Sequence, residues 1–498
     1  MALILNVGFL NRVDVGMSNT ESPEAAANKA RDQQLRRFHR TDAGNASAFE
    51  LLHGCDRFRY DHDKCKWLVW NGKFWERDKD DEADRAALDT ARARLAAVAI
   101  GDGTSDDDIR WAQESESVTR RQAMLRSAQS IRSLATTTAD FDRDPFLLTV
   151  GNGTLDLTTG KLRQFRPDNL ITRSADVSFH PTAKAPRWHQ FLAEVFAGDQ
   201  ELIQFVQRAV GYSLTGDTRE QCLFILWGGG ANGKSTFLET IIRLLGTHAA
   251  TTPFSTVMVQ RNPGSPRNDL AALHGARLVK ASEAEHQSAF AESTVKEITG
   301  GDTITARFLF KEYFSYKPTG KFWLATNHRP EIRGTDDAIW RRIRLIPFMR
   351  QFSGTNKDAL LREKLERELP GILAWAVQGC LDWQTDGLKS ARTVETATLE
   401  YRQESDQAGR FIKDRCHLQL GERTPAKALY DAFVLWCASH CEKPLATNQF
   451  AVKLEERGLA GKRGRSGIVY LGVALIPVPT TGSPASTVKT KKEKADSK

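Results

Sequence analysis

The stretch "CLFILWGGGANGKSTFLETIIRLLG", residues 222–246, constrains the fold of this chain more than any other. An apolar run too short for a helix breaks into glycine, and an apolar pattern of helical spacing follows at Phe237, Ile241, Leu244 and Leu245. The order strand, glycine loop, helix predicts an α/β fold. Gly228 to Ser235 also satisfies the spacing G-x-x-x-x-G-K-S/T. Glycines let successive backbone N–H groups curl round phosphates, and the helix start adds the positive end of its dipole. Gly228, Gly229, Gly230, Ala231, Asn232, Gly233, Lys234, Ser235 and Thr236 are therefore predicted to hold a nucleoside triphosphate. Lys234 would reach the β- and γ-phosphates, and the Ser235 hydroxyl would coordinate Mg2+.

The 498 residues suffice for two to four domains, and 40% hydrophobic with 27% charged residues is ordinary soluble composition. No run reaches the roughly 20 apolar residues of a membrane span. The apolar opening "MALILNVGFLNRVDVG" lacks the marks of a signal peptide, and Met17 is an alternative start. Seven scattered cysteines point to a reducing cytosol rather than to a disulfide framework. Cys416, His417, Cys437, His440 and Cys441 are read as packing residues in preference to zinc ligands, because no C-x-x-C pair occurs. A net charge of +8 favours a polyanionic partner.

Residues 1–45 read as disordered, and 46–185 as an N-terminal α+β domain. The latter opens with two strands around Asn71-Gly72, continues with a basic helix over 116–138, and has short strands between turns in "LLTVGNGTLDLTTGKL". A helical collar or linker (186–220), a core (221–350), a helical lid (351–405), a C-terminal domain (406–478) and a disordered basic tail (479–498) follow.

Beyond the glycine loop, "ARLVKASEAE" offers a short strand at Leu278 and Val279 that runs into Glu283 and Glu285; phosphate-loop NTPases need such an acid on an adjacent strand. "KFWLATNHRP" supplies a second strand, Phe322 to Ala325, ending at Asn327, whose amide would orient water. In "TDDAIWRRIRLIPF", Arg341 and Arg342 precede another strand; they would either stabilise phosphoryl charge or pair with Asp336 and Asp337.

This order of motifs resembles the superfamily 3 helicases, and more closely the phage and plasmid primase–helicase family, which is similar to the poxvirus replicative NTPases. "ITGGDTITARFLFKEYFSYKPTGKFWLATNHRP" and "DPFLLTVGNGTLDLTTG" carry much of the likeness, which spans roughly residues 50–350 and weakens to 475. The resemblance implies an AAA+ core assembling as a ring, usually a hexamer, around DNA, with ATP between subunits. It makes Glu283 the Mg2+ partner and catalytic base, Asn327 the sensor, and Arg342 or Arg341 the finger offered to a neighbour. A second acidic role falls to Glu285, Ser282 or no residue.

Two segments are candidates for DNA contact. "TARFLFKEYFSYKPTGK" reads as β-structure with Lys311 among Phe310, Tyr313, Phe314 and Tyr316; aromatics such as Phe314 can stack on unpaired bases, and the resemblance makes it a channel hairpin in which Lys311 grips a strand. Residues 424–475 read as a winged helix, with Thr447-Asn448 capping its second helix and Lys462, Arg463 and Arg465 forming a basic loop. A polymerase domain is not expected within the first 45 residues, and Asp140, Asp142 and Asp144 match a linker pattern, so priming would fall to a separate protein. The expected function is an ATP-driven DNA helicase or translocase of a phage, prophage or plasmid. A protein loader without unwinding activity and a DNA-binding regulator with an ATP switch are the alternatives.

Overall fold

A computed structural model describes residues 22–100, 105–259, 267–282, 289–309, 312–334, 336–354, 357–464 and 467–477. Its first elements are helices, α1 (Pro23–Arg37) and α2 (Asp42–Arg57), so the expectation of disorder through residue 45 is corrected from Pro23 onward. Ser22 Oγ caps α1 by accepting from Ala25 N at 3.2 Å, and Thr41 Oγ1 caps α2 by accepting from Gly44 N at 3.0 Å. Composition hid α1 because the helix buries a single side chain, Leu35, packed with Ala48 and Ala97.

Next come β1 (Phe58–Asp61), β2 (Lys66–Trp70), β3 (Trp75–Arg77), α3 (Glu82–Ala99), α4 (Asp106–Glu114), α5 (Val118–Ala128) and β4 (Ala135–Thr136). The turn between β2 and β3 is the expected Asn-Gly one: Asn71 Oδ1 accepts from Lys73 N and Phe74 N, and Gly72 has φ +89°. The helix expected over 116–138 ends at Ala128, and β4 then adds to β1 in parallel. Strands β5 (Leu147–Val150), β6 (Gly153–Asp156) and β7 (Lys161–Arg163) form the expected meander.

The domain boundaries read from the sequence shift. Phe49, Phe58, Ala87 and Met124 belong to one apolar cluster. Leu148, Leu155 and Val177 belong to another, shared with helices α6 (Pro186–Val195) and α7 (Gln200–Leu214) and with the helix after the glycine loop. Residues 46–185 are thus not one packing unit, and the collar is a core layer rather than a linker.

The central sheet is built from β8 (Leu223–Trp227), β9 (Ala249–Pro253), β10 (Leu278–Ser282), β13 (Lys321–Thr326) and β14 (Ile343–Pro347), all parallel, in the order β14-β8-β13-β10-β9. Helices α8 (Lys234–Leu245), α9 (Asn268–Ala271), α10 (Glu292–Gly300) and α11 (Asp337–Trp340) connect these strands, and the hairpin β11 (Ile304–Ala306) and β12 (Phe314–Tyr316) precedes β13. Four of the five strands are buried almost end to end, as sheets covered on both faces require. The neighbours of β8 are β14 and β13, and β10 lies beyond β13.

At its start β13 is anchored by a buried cation. The Lys321 ammonium donates to the Thr215, Thr319 and Asp217 carbonyls and lies 4.9 Å from the Tyr212 ring centre. Burial, reinforced by the Arg277 cation, pushes its pKa well below the usual lysine range.

Helices α12 (Leu361–Arg367), α13 (Leu369–Asp386) and α14 (Arg392–Ser405) cover the sheet. The C-terminal unit runs α15 (Gln407–Arg415), β15 (Cys416–Pro425), α16 (Ala426–Ser439), α17 (Thr447–Glu455), β16 (Gly461–Gly464) and β17 (Gly467–Leu475), with its antiparallel strands in the order β15-β17-β16. Helix α17 takes in Thr447 and Asn448, the residues expected to cap it, and has Ala446 at the cap instead; the segment read as a basic loop is strand β16. No helix among the described residues is long and apolar enough to cross a membrane.

The closest helix contact, α7 on α13, depends on glycine. A Cβ at Gly211 would stand 2.1 Å from Cys380 N, and one at Gly379 would stand 2.2 Å from Gln207 O. Gly211→Ala and Gly379→Ala should each cost about 1–3 kcal/mol in denaturant unfolding; an unchanged midpoint would contradict this packing.

Candidate nucleotide site

The glycine loop follows the last residue of β8 and ends at the first turn of α8. Gly228 has φ +152° and Gly233 φ +90°, and neither has room for a side chain: a Cβ at Gly228 would meet Phe348 O at 2.1 Å, and one at Gly233 would meet Val195 Cγ2 at 2.9 Å. The loop is therefore pressed between α6 on one side and the chain leaving β14 on the other. No side chain caps α8, whose N-cap is Gly233. Its first-turn N–H groups suit an anion.

Lys234 is 6% exposed, and its ammonium donates to Gly228 O (2.6 Å), Gly229 O (3.0 Å), Asn232 Oδ1 (3.0 Å) and Asn327 Oδ1 (3.0 Å). A buried ammonium is tolerated only when its protons are accepted in this way. Asn232, itself buried, donates through Nδ2 to Phe348 O at 2.9 Å, which orients its oxygen toward Lys234. The sequence marked Asn232 as a loop member but did not reveal this role. Ser235 is exposed and Thr236 half-buried at the start of α8.

Asn327 follows β13 directly, and Thr326 is level with Trp227, the residue before Gly228. The neighbouring strands thus bring Lys234 and Asn327 together from 93 residues apart. Glu283 and Glu285 lie outside the described residues; β10 ends at Ser282, whose register partner is Ala325.

The two arginines before β14 separate. Arg342 is buried; its Nε donates to Thr299 Oγ1 at 3.1 Å and its Nη1 to Ala338 O at 2.5 Å. Arg341 is exposed, with Nη2 donating to Gln221 Oε1 at 3.1 Å. Neither pairs with the aspartates offered as alternatives: Asp336 binds Lys296 at 2.9 Å and Asp337 binds Arg402 at 2.7 Å.

Of the nucleic-acid candidates, Lys311 and Arg465 lie outside the described residues. Phe314 is half-buried and stacks between Phe308 and Tyr316, with ring centres 5.9 and 5.8 Å apart. The exposed apolar part of this hairpin is Phe308, Leu309 and Tyr313, with Arg307 lying 4.6 Å from the Tyr313 ring centre. Lys462 and Arg463 are exposed on β16, level with Val469 and Ile468 of β17.

Asp140, Asp142 and Asp144 are bound to backbone. Asp140 accepts from Thr137 N at 2.7 Å, Asp142 from Thr172 N at 2.9 Å and Asp144 from Phe146 N at 2.8 Å. Cys437 is buried in the C-terminal core, and Cys441 is exposed.

Fold and loop define a parallel-sheet α/β protein with a glycine loop of G-x-x-x-x-G-K-S spacing at a strand-to-helix turn. A family model described as "D5 N terminal like" matches residues 46–197, and a family of unknown function matches residues 226–342. The chain is 28% identical over 297 residues to a protein of Acanthamoeba polyphaga mimivirus named "putative helicase", covering 55% of this chain and 31% of that one. A Frog virus 3 protein of the same name is 24% identical, with 60% and 39% covered. A protein of African swine fever virus named "putative primase" is 23% identical, with 59% and 33% covered. The chain thus spans about a third of the length of these relatives. The apo C-terminal region of NrS-1 aligns with 84% of this chain and 96% of its own at 10% identity and a TM-score of 0.49. Residues 46–197 thus match a D5 N terminal like domain, and the chain is similar to viral proteins named putative helicases and putative primases.

The arginine pair gives a direct test. Arg342→Ala should cost about 1–3 kcal/mol, since it removes the donors to Thr299 Oγ1 and Ala338 O and opens a buried site. Arg341→Ala should stay within about 0.5 kcal/mol of the parent in the same denaturation experiment. Equal losses would remove the distinction.

Proposed function

We propose that this chain is an ATP-driven DNA helicase or translocase with an AAA+ core, working as a homo-oligomeric ring, usually a hexamer, in the replication of a phage, prophage or plasmid. The observation that carries this reading is the bond from the Lys234 ammonium to Asn327 Oδ1, which links the phosphate loop to the residue ending the neighbouring strand. The strand order β14-β8-β13-β10-β9 supports the AAA+ assignment, because it sets the sensor strand between the loop strand and the acid-bearing strand.

ATP is taken by the N–H groups of Gly229 to Thr236, with Lys234 leaving its loop acceptors for the phosphates. Ser235 and Glu283 would hold Mg2+, which neutralises charge on the phosphate oxygens when bound. Glu283 is proposed as the base and Asn327 as the group that orients water. Because Arg342 commits its guanidinium to its own subunit, the finger role is assigned to exposed Arg341. Strand contact is assigned to the β11–β12 hairpin, through Lys311 and the apolar residues beside it. The order α15, β15, α16, α17, β16, β17 supports a winged helix, with Lys462, Arg463 and Arg465 meeting duplex phosphate.

Lys234→Ala should abolish ATP hydrolysis in a phosphate-release assay; retained turnover would refute the loop assignment. Arg341→Ala should lower turnover roughly a thousandfold, with partial recovery on mixing with Lys234→Ala subunits; no recovery would remove the shared site. Lys311→Ala should weaken single-strand binding about tenfold while leaving basal hydrolysis intact, measured by fluorescence anisotropy. DNA-stimulated hydrolysis without strand separation on a forked substrate would select the loader instead.

A further inference from the structure

Two residues past Asn327, Arg329 is held on three sides. Its guanidinium carbon lies 3.9 Å from the centre of the Trp227 ring and 5.8 Å from that of Tyr401, and its Nη1 donates to Glu404. The Arg329 side chain is only 12% exposed, whereas that of Glu404 is 63% exposed. Trp227 is the last residue of β8, immediately before Gly228, while Tyr401 and Glu404 belong to α14. The Tyr401 hydroxyl also donates to Pro330 O, so α14 grips the turn beyond Asn327 at a second point. One guanidinium therefore joins the strand that feeds the phosphate loop, the turn that carries Asn327, and the last helix of the covering layer. A planar cation can stack on an indole and donate to a carboxylate at once, which an ammonium does less well.

From α14 the contacts continue. Arg402 pairs with Asp337 at 2.7 Å, just before the arginines that precede β14. Asp406, which follows α14, accepts from Gly409 N at 2.9 Å to cap α15 and takes the Arg457 guanidinium from just beyond α17. The cap of α15 is thus continuous with α14. Open clefts lie on both sides of this end of the helix: one borders Arg341, Arg344 and Thr398, and the other Gly334, Gln403 and Arg457.

We propose that Arg329 is a positioning residue that relays occupancy of the phosphate loop to α14 and, through Asp406, to the C-terminal unit. The inference rests on the nucleotide reading above. A phosphate that draws the Lys234 ammonium away from Asn327 Oδ1 changes the bonding of the turn that Arg329 clamps. That change reaches α14 because Tyr401 and Glu404 are fastened to the same turn. The clamp works only if the two arrangements of the turn differ in free energy, and this is what the coupling measures.

Hydrogen–deuterium exchange on the full chain, with and without a non-hydrolysable ATP analogue and Mg2+, tests this through peptides covering 228–236 and 392–405. In the parent protein the loop peptide should be protected, and exchange in the α14 peptide should shift about fivefold or more. With Arg329→Ala the loop should still be protected while the α14 shift falls below about twofold; Arg329→Lys should be intermediate. Glu404→Ala, a change at an exposed carboxylate that leaves folding intact, should reduce the α14 shift as Arg329→Ala does, and the double variant should lose no more. An α14 response in Arg329→Ala equal to the parent's overturns the proposal, as does a parent in which the loop is protected and α14 does not respond. A parent whose loop is not protected overturns the nucleotide reading, and the relay with it.

Discussion

An ammonium cannot sit in a protein interior unless its protons are accepted, and the acceptors around Lys234 come from the glycine loop and from the end of β13. Gly228 and Gly229 supply carbonyls, Asn232 supplies an amide oxygen aimed by Phe348, and Asn327 supplies another from the end of β13. Meeting that requirement demands a loop of glycines, a neighbouring parallel strand of matched length, and a chain segment leaving β14 that folds back on the loop. The site and the central sheet are in this sense one object. An anion that offers better acceptors than these oxygens can take Lys234 from them and so disturb the loop and the end of β13 at once.

The other end of β13 is fastened just as firmly. Lys321 and Arg277 are buried cations held by main-chain carbonyls; Arg277 reaches Leu214 O at 2.7 Å and Leu147 O at 2.6 Å. These bonds tie the sheet to α7 and to the β5–β7 meander without any buried carboxylate partner among them. The meander and the helices before the loop are therefore part of the frame that sets the height of Asn327 against Trp227. α6 completes the frame, with Val195 and Phe191 filling the space that a side chain at Gly233 would occupy.

Much of this was legible in the chain of letters. The loop, the strand before it and the helix after it show as an apolar run, a glycine break and a three-to-four spacing, each a local property. The end of β13, the Asn71-Gly72 turn and the helices α16 and α17 were legible for the same reason. Less visible were features that depend on few residues or on distant ones. Helix α1 buries one leucine, so its composition looks unfolded. Arg341 and Arg342 are adjacent and chemically identical, yet Thr299 and Ala338 accept from one, while the other lies exposed beside Gln221. Arg329 carries no motif at all; only the approach of Trp227 and α14 gives it a place.

The sequence by itself determined that a phosphate loop would stand at a strand-to-helix turn, because backbone freedom at glycine and side-chain periodicity are encoded within a dozen residues. It also carried the likeness to viral proteins named putative helicases and primases, through several motifs in a set order. The tertiary structure decided which strand lies beside the loop, which arginine is buried, and which layers share a core. Those outcomes are settled by contacts between segments some hundred residues apart, where neighbours compete for the same carbonyls, rings and buried volume, and local spacing carries no record of which one wins.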